Sequence, residues 1–445
     1  MLFTFISVAF LLCFAFHIQK LSSKKSICLL LSLSFVFIYL KSIRFISFSF
    51  PSNHILVDDN WQFSCNEQHW LNISLPHAIQ TATNQTCFYR KQLFINDNSM
   101  NFILRFDGVI DETDVYINNK FVRKHIGNDY LPFDIDLPTH GNRTLNILLR
   151  LRNTIRNFSQ TSTTGLQRHV WLIKRSKFIY FNRTIRIDYR NVTNEQAFLF
   201  VQFDIIGRCH VRFLLNDYEI SPLNLTNMSQ AAILIEKPRL WSIAEPNLYR
   251  FTVELVDIET RMKSFDQQTI MIRIRSIEFH SFIGINRYQQ YPYIGSALSD
   301  AAQYRDAYKI KQAGIQLVHC VDHVPTVEFL NACDQLGLLV MNSIVIDEKK
   351  SKDGMVERWF ERDYNHPSIF IWRIYKQSQD SGEINRTLLF EKYANISLSE
   401  IQTIYNQNQR STQAFGDISW SIFADHTSSL MNRYRLPTFA YYFYQ

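Results

Sequence analysis

The stretch RDYNHPSIFIWRIYKQSQD, residues 362–380, holds the groups around which chemistry on this chain would be built. Its centre, SIFIWRI, reads as an apolar strand. Asp363, Asn365 and His366 precede that strand, and Lys376 and Gln377 follow it. In alternating α/β sequences, reactive groups collect just after the strands. Gln377 offers an amide there, which hydrogen-bonds but carries no titratable proton near neutral pH. Asp347, Glu348, Glu357, Glu361 and Glu383 are the neighbouring acids in sequence, and each reads more readily as solvated surface than as a general acid. His323, in HVP, stays open between a packed histidine and a ligand contact.

The elements that must position these groups follow from periodicity. After about residue 276 the pattern alternates β and α. FIGIN is a short strand, and SDAAQYRDAYKIKQAG is a helix entered at Ser299 or Asp300 and left at Gly314. IQLVHC, LLVMNSIVI and SIFIWRI are further strands, with helices over PTVEFLNACDQLG and MVERWFERDY. This order predicts a parallel sheet with right-handed crossovers. No GxGxxG or P-loop is present, so a (β/α) barrel is expected over a nucleotide-binding sheet. Upstream, from Trp61 to about Lys174, apolar and polar residues alternate at strand period, and Asn118-Asn119 marks a tight hairpin. That region predicts a β-sandwich of jelly-roll type. Residues from about 180 to 275 predict a smaller immunoglobulin-like sandwich.

The chain has 445 residues and a formal net charge of +7, with 46% hydrophobic and 20% charged residues. That balance excludes a disordered polar chain. The positive excess forms no stripe with Gly or aromatics, so nucleic acid is not an expected partner. The first 50 residues contain two apolar runs, MLFTFISVAFLLCFAF and ICLLLSLSFVFIYL, around Lys20, Lys24 and Lys25. Each is shorter than the roughly 20 residues that span a bilayer. With Lys41 and Arg44 reaching the interface, they still predict a membrane anchor of one or two spans. The flanking charge places the downstream chain in the secretory-pathway lumen or outside the cell. Ten sequons downstream agree with that placement: Asn72, Asn84, Asn142, Asn157, Asn182, Asn191, Asn224, Asn227, Asn385 and Asn395. Among seven cysteines, Cys65 and Cys87 are the expected disulfide, both in the entry to the first domain. No Cys or His spacing suggests zinc, and neither metal nor cofactor is expected.

Ordered motifs add a resemblance. FDGVIDETDVYINNKFV, GLQRHVWL, PRLWSIAEPNLYRFTVEL, FIGINRYQQYPYIGSAL, CDQLGLLV and RDYNHPSIFIW resemble, in this order, glycoside hydrolase family 2, the β-galactosidase, β-glucuronidase and β-mannosidase group. The resemblance implies a multidomain β plus α/β fold. Residues 1–50 form the membrane-anchor region, 51–178 a jelly-roll sugar-binding-like domain, and 179–275 an immunoglobulin-like sandwich. Residues 276–445 form a (β/α)8-type TIM barrel, which is C-terminally short. It also implies where the catalytic carboxyls belong. The family's fourth strand continues W-S-L-G-N-E, so Gln377 stands at the acid/base glutamate and Lys376 at the asparagine. RLPTFAYYFYQ resembles the run that ends at the nucleophile and puts Tyr442 there. Tyr288-Gln289 replace His-Glu after the first strand, and His319 replaces an arginine, with Gln316 at an asparagine. Asn342-Ser343 replace an acidic pair after the third strand. A retaining glycosidase needs two carboxyls about 5–5.5 Å apart, and both positions are substituted here.

The expectation is therefore a membrane-tethered, glycan-binding relative of these enzymes that no longer cleaves. His323, Tyr288, Trp372, Lys376 and Gln377 would be its sugar contacts, although Trp372 reads first as a strut for its strand. The alternatives are an active β-galactosidase- or β-glucuronidase-type hydrolase with relocated acids, and a structural subunit that binds a protein partner or a second copy.

Overall fold

Strand-period alternation builds the first layers. The computed structural model describes residues 53–80, 85–110, 112–126, 131–138, 144–152, 163–226, 229–275, 284–288, 294–321, 324–347, 355–378 and 385–393. For 80, 225–226, 288, 321, 345–347, 376–378 and 385–393 it describes the backbone alone.

In Thr144–Arg152 every second residue, Leu145, Ile147, Leu149 and Leu151, is buried. These side chains meet Phe102, Leu104 and Phe106 of Met100–Phe106 in one core. The two strands belong to different sheets. One sheet has four strands, ordered His54–Leu56, Val170–Ser176, Met100–Phe106 and Phe133–Asp136. The other has six, with Thr144–Arg152 between Thr86–Phe94 and Glu112–Ile117. The result is a sandwich. Asn118 and Asn119 take φ of 48° and 64° and close the hairpin from Glu112–Ile117 to Lys120–His125, as a two-residue turn with left-handed positions requires. Cys65 and Cys87 are joined by a disulfide.

A second sandwich is built on the same alternation. Gln196–Gln202 and Gln230–Glu236 pair in one four-stranded sheet, and His210–Leu215 and Tyr249–Val256 in another. Leu199, Val201, Ile233, Phe213, Phe251 and Val253 fill the space between them.

Beyond it the period changes. Gly284–Tyr288, Leu317–Val321, Leu339–Asp347 and Ile369–Ser378 form a parallel sheet in chain order. Helices Asp300–Gln312, Val327–Leu336 and Met355–Asp363 make the connections. Local chemistry fixes the second helix: Thr326 Oγ1 accepts from Phe329 N at 3.1 Å, and Gly337 ends it at φ 69°. One sheet face packs on the helices, bringing Val318, Cys320, Val340, Ile344, Trp372 and Ile374 against Phe329, Leu330, Trp359 and Phe360.

Two expectations change at this level. Strand Asn385–Tyr393 joins the sheet antiparallel to Ile369–Ser378. The reason is length: only residues 379–384 link the two strands, and a parallel return needs about a dozen residues or more. The described residues thus contain four parallel strands and one reversed strand, and a closed eight-stranded barrel is not among them. Asn385, expected in a loop, instead starts this strand opposite Ser378.

The membrane-anchored localisation is corrected as well. No helix among the described residues is long and apolar enough to cross a membrane. The longest has 13 residues, about 20 Å at 1.5 Å per residue, against the roughly 30 Å of a bilayer core. The two apolar runs on which that expectation rested lie in residues 1–50, outside the described residues.

Candidate functional site

Alternation sorts the parallel strands into two faces. The face turned from the helices begins, at the N-terminal ends, with Leu317, Leu339, Met341, Phe370 and Ile371 packed around Trp241 of the second sandwich. Further along, it becomes polar. His319 lies between Asn286 and Ser343 of the adjacent strands, with Nδ1 2.8 Å from Asn286 Oδ1 and Nε2 3.0 Å from Ser343 Oγ. With the Asn286 carbonyl facing the ring, Nδ1 donates and Nε2 accepts from the hydroxyl. Arg373 is in register with Ser343, and its Nη1 donates to Tyr375 Oη at 3.3 Å. Burial, and then the Arg373 charge, lower the His319 pKa from 6.5 to about 4. The imidazole is neutral at physiological pH. This layer therefore offers hydroxyl, amide, neutral imidazole and guanidinium groups.

The residues before the fourth strand brace it. The Asp363 carboxylate, fully buried, accepts from Asn342 Nδ2 at 2.8 Å and from Arg362 Nε and Nη2 at 2.5 and 2.8 Å. Asn365 accepts from Ile187 N at 3.1 Å and donates to Ile185 O at 2.6 Å, docking the turn on the second sandwich. His366 Nδ1 lies 2.7 Å from Asp334 Oδ2. Burial works against protonation of that ring, but Asp334 outweighs it and raises the pKa. Trp372 is 4% exposed and turned to the helices, with its ring centroid 4.9 Å from those of both Trp359 and Phe360.

The structure brings only some of the sequence-derived candidates together. Gln377, next to last in the fourth strand, is in register with Asp347 on one side and Arg386 on the other; Lys376 pairs with Ile346 and Thr387. Tyr288 ends the first strand beside Val321. His323 and Tyr442 lie outside the described residues, as do Asn84, Asn142, Asn157, Asn227 and Asn395. Asn72, Asn191 and Asn224 are exposed. Asn182 is exposed too, with its amide nitrogen bonded to Asp204 at 2.7 Å.

Sequence reading missed the charged seam between the first sandwich and the α/β region. His169 Nδ1 lies 2.5 Å from Asp58 Oδ2 and Nε2 2.7 Å from Asp300 Oδ1, with Glu328 at 3.9 Å. Burial lowers the pKa of this ring, but the bonds to Asp300 and Asp58 and the Glu328 charge raise it overall to about 11. His169, Asp300 and Glu328 place ligand-type atoms within 4.8 Å of one another. Both ring nitrogens donate to carboxylates, however, which is how an imidazolium bonds; a metal would need a nitrogen lone pair. Arg168, beside it, is buried and donates to Val324 O at 2.7 Å. The motif GLQRHVWL contains both residues, but nothing in their spacing names the helix starts they meet.

Residues 213–269 match the family model for glycosyl hydrolases family 2. Over 378 residues the chain is 26% identical to a β-galactosidase of Thermoanaerobacter pseudethanolicus, covering 72% of this chain and 49% of that protein. It is 25% identical to a putative β-glucuronidase of Formosa agariphila, covering 69% and 43%. Among solved structures, a family 2 member from Bacteroides cellulosilyticus superposes with a TM-score of 0.63 at 22% identity, over 74% of this chain and 53% of that one. A β-glucuronidase of Bacteroides uniformis does so with a TM-score of 0.59 at 22% identity, over 73% and 46%. The chain thus spans about half the length of the curated relatives it matches. These relatives are bacterial and lend no support to the secretory-pathway setting expected from the sequons. The family model, these relatives and the shared fold together support a likeness to glycoside hydrolase family 2.

Proposed function

We propose that the C-terminal ends of the parallel strands bind a glycan, and that the chain does not hydrolyse unactivated glycosides there. One observation carries this reading: the described polar layer, Asn286, His319, Ser343, Arg373 and Tyr375, contains no carboxylate, and Gln377 stands next to last in its fourth strand. Amide, hydroxyl and neutral imidazole groups hydrogen-bond sugar hydroxyls well. None of them protonates a leaving oxygen, a task that contributes about 10²–10⁴-fold. The relatives' printed activities point to β-galactosides or β-glucuronides as the ligand class, and Arg373 adds a positive charge that suits a uronate. A jelly-roll first domain and a C-terminally short (β/α) barrel belong to this same reading.

A second reading has its own support. Position 347 is an aspartate in register with Gln377. One carboxylate could act as a nucleophile on glycosides whose leaving group needs no acid. Aryl β-glycosides separate the two readings. The binding-only reading expects no turnover of aryl β-galactosides or β-glucuronides, with saturable binding of the sugars. Turnover abolished by Asp347→Asn would overturn it and establish the second reading.

A further inference from the structure

At the opposite end of the sheet, two arginines converge, and among the described residues no acid hydrogen-bonds either of them. Arg273 and Arg275 leave the last strand of the second sandwich, and both direct Nη2 at a single carbonyl, Ile369 O, at 3.5 and 3.3 Å. Arg273 is 9% exposed; Arg275 is half-buried and opens the pair to solvent. Trp241 lies 5.4 and 5.8 Å from the two guanidinium carbons, and Phe370 lies 5.6 Å from that of Arg275. Arg273 Nη1 and Arg275 Nε are buried without a hydrogen-bond acceptor among the described residues. Asp334, whose charge reaches both arginines, is already committed: Oδ2 faces His366 Nδ1 and Oδ1 accepts from Ser368 N, both at 2.7 Å.

Two like charges held this way are costly, because burial removes water and the Tyr189 and Asp334 side chains offset that only in part. The pKa directions agree. Burial lowers Arg273 to about 9, and burial followed by the Arg273 charge lowers Arg275 well below its ordinary value. The aromatic faces supply a quadrupole but no net negative charge.

We propose that Arg273 and Arg275 form a seat for a small oxyanion of the phosphate or sulfate class, at the seam between the second sandwich and the N-terminal edge of the parallel sheet. The unused N–H groups of the two forks suit an anion with several acceptor oxygens. The seat is remote from Gln377, at the other end of the same strand, so it stands or falls independently of any activity at the glycan site.

Isothermal titration of the full chain with inorganic phosphate, with ionic strength held constant by chloride, tests it. One saturable site is expected, weakened about tenfold or more by Arg273→Met, since a hydrogen bond to a charged group is worth about 1.5–3 kcal/mol. Arg275→Lys keeps a charge, loses the planar fork, and should weaken phosphate by a smaller factor. It carries the test if Arg273→Met does not fold. No saturable heat in the parent, or heat that neither substitution changes, would overturn the proposal.

Discussion

The two histidines His169 and His319 occupy opposite chemical worlds in one molecule. His169, at the seam between the first sandwich and the helix starts, is wedged between Asp58 and Asp300, with Glu328 beyond and Asp107 close by. His319, in the polar layer of the parallel sheet, has an amide on one side and a hydroxyl on the other. The environments hold the first ring charged and the second neutral. Among the described residues, then, carboxylates gather at the joint between domains and are missing from the polar layer of the sheet. A polar layer without acids can still hydrogen-bond hydroxyl groups, while a joint without its ion cluster would lose its geometry.

Breaking the seam should have the largest effect. His169→Phe removes the cation from between the buried Asp58 and the partly exposed Asp300, and a broken buried pair costs about 3–5 kcal/mol. Denaturant unfolding should show a loss of at least about 3 kcal/mol; a loss below about 1 kcal/mol would mean that the seam is not a joint.

The pH dependence sharpens the comparison because the two rings act with opposite sign. The folded pKa of His169 is raised to about 11 from an ordinary 6.5. Its contribution is fully present below pH 6.5 and is lost progressively as pH rises towards 11. The folded pKa of His319 is lowered to about 4, so its contribution is present above pH 6.5 and is lost as pH falls towards 4. Unfolding midpoints across pH should decline on both limbs in the parent chain. His169→Phe should flatten the alkaline limb alone, and His319→Leu the acid limb alone. A single substitution that flattens both would contradict the assignment.

The sequence made the β-sandwiches and the parallel strands legible because burial alternates along them. Leu145, Ile147, Leu149 and Leu151 announce one buried face, and Thr326 with Gly337 announces a helix by its caps. The expectation that Gln377 takes an acid's place rests on aligning the flanking NHPSIFIW, and the fold alone does not test it. Two things were hidden. The reversal at Asn385 depends on the shortness of residues 379–384, which reads as a loop at the mouth rather than as a hairpin connection. The His169 seam was hidden because its members, Asp58, His169, Asp300 and Glu328, lie far apart in sequence, and no period or spacing connects them. Trp372 shows the converse limit. Its residue type and place read first as a strut and second as a sugar contact, and only the rings of Trp359 and Phe360 show that it faces the helices.

The smallest expected effect tests whether the neutral layer recognises a ligand or merely fills space. Ser343→Ala removes the hydroxyl that His319 Nε2 accepts from, while the bond to Asn286 remains. A neutral hydrogen bond contributes about 0.5–1.5 kcal/mol net, so stability should fall by about 1 kcal/mol. If the layer only packs, the effect ends there. If it reads a sugar, the imidazole loses its fixed tautomer and can turn either nitrogen outward. Calorimetric binding of galactose or glucuronate should then weaken by about fivefold, a change that a loss of about 1 kcal/mol in fold stability cannot produce in a chain that remains almost wholly folded. Unchanged sugar affinity beside the expected stability loss would remove His319 and Ser343 from the recognition surface and leave Arg373, Tyr375 and Gln377 to carry it.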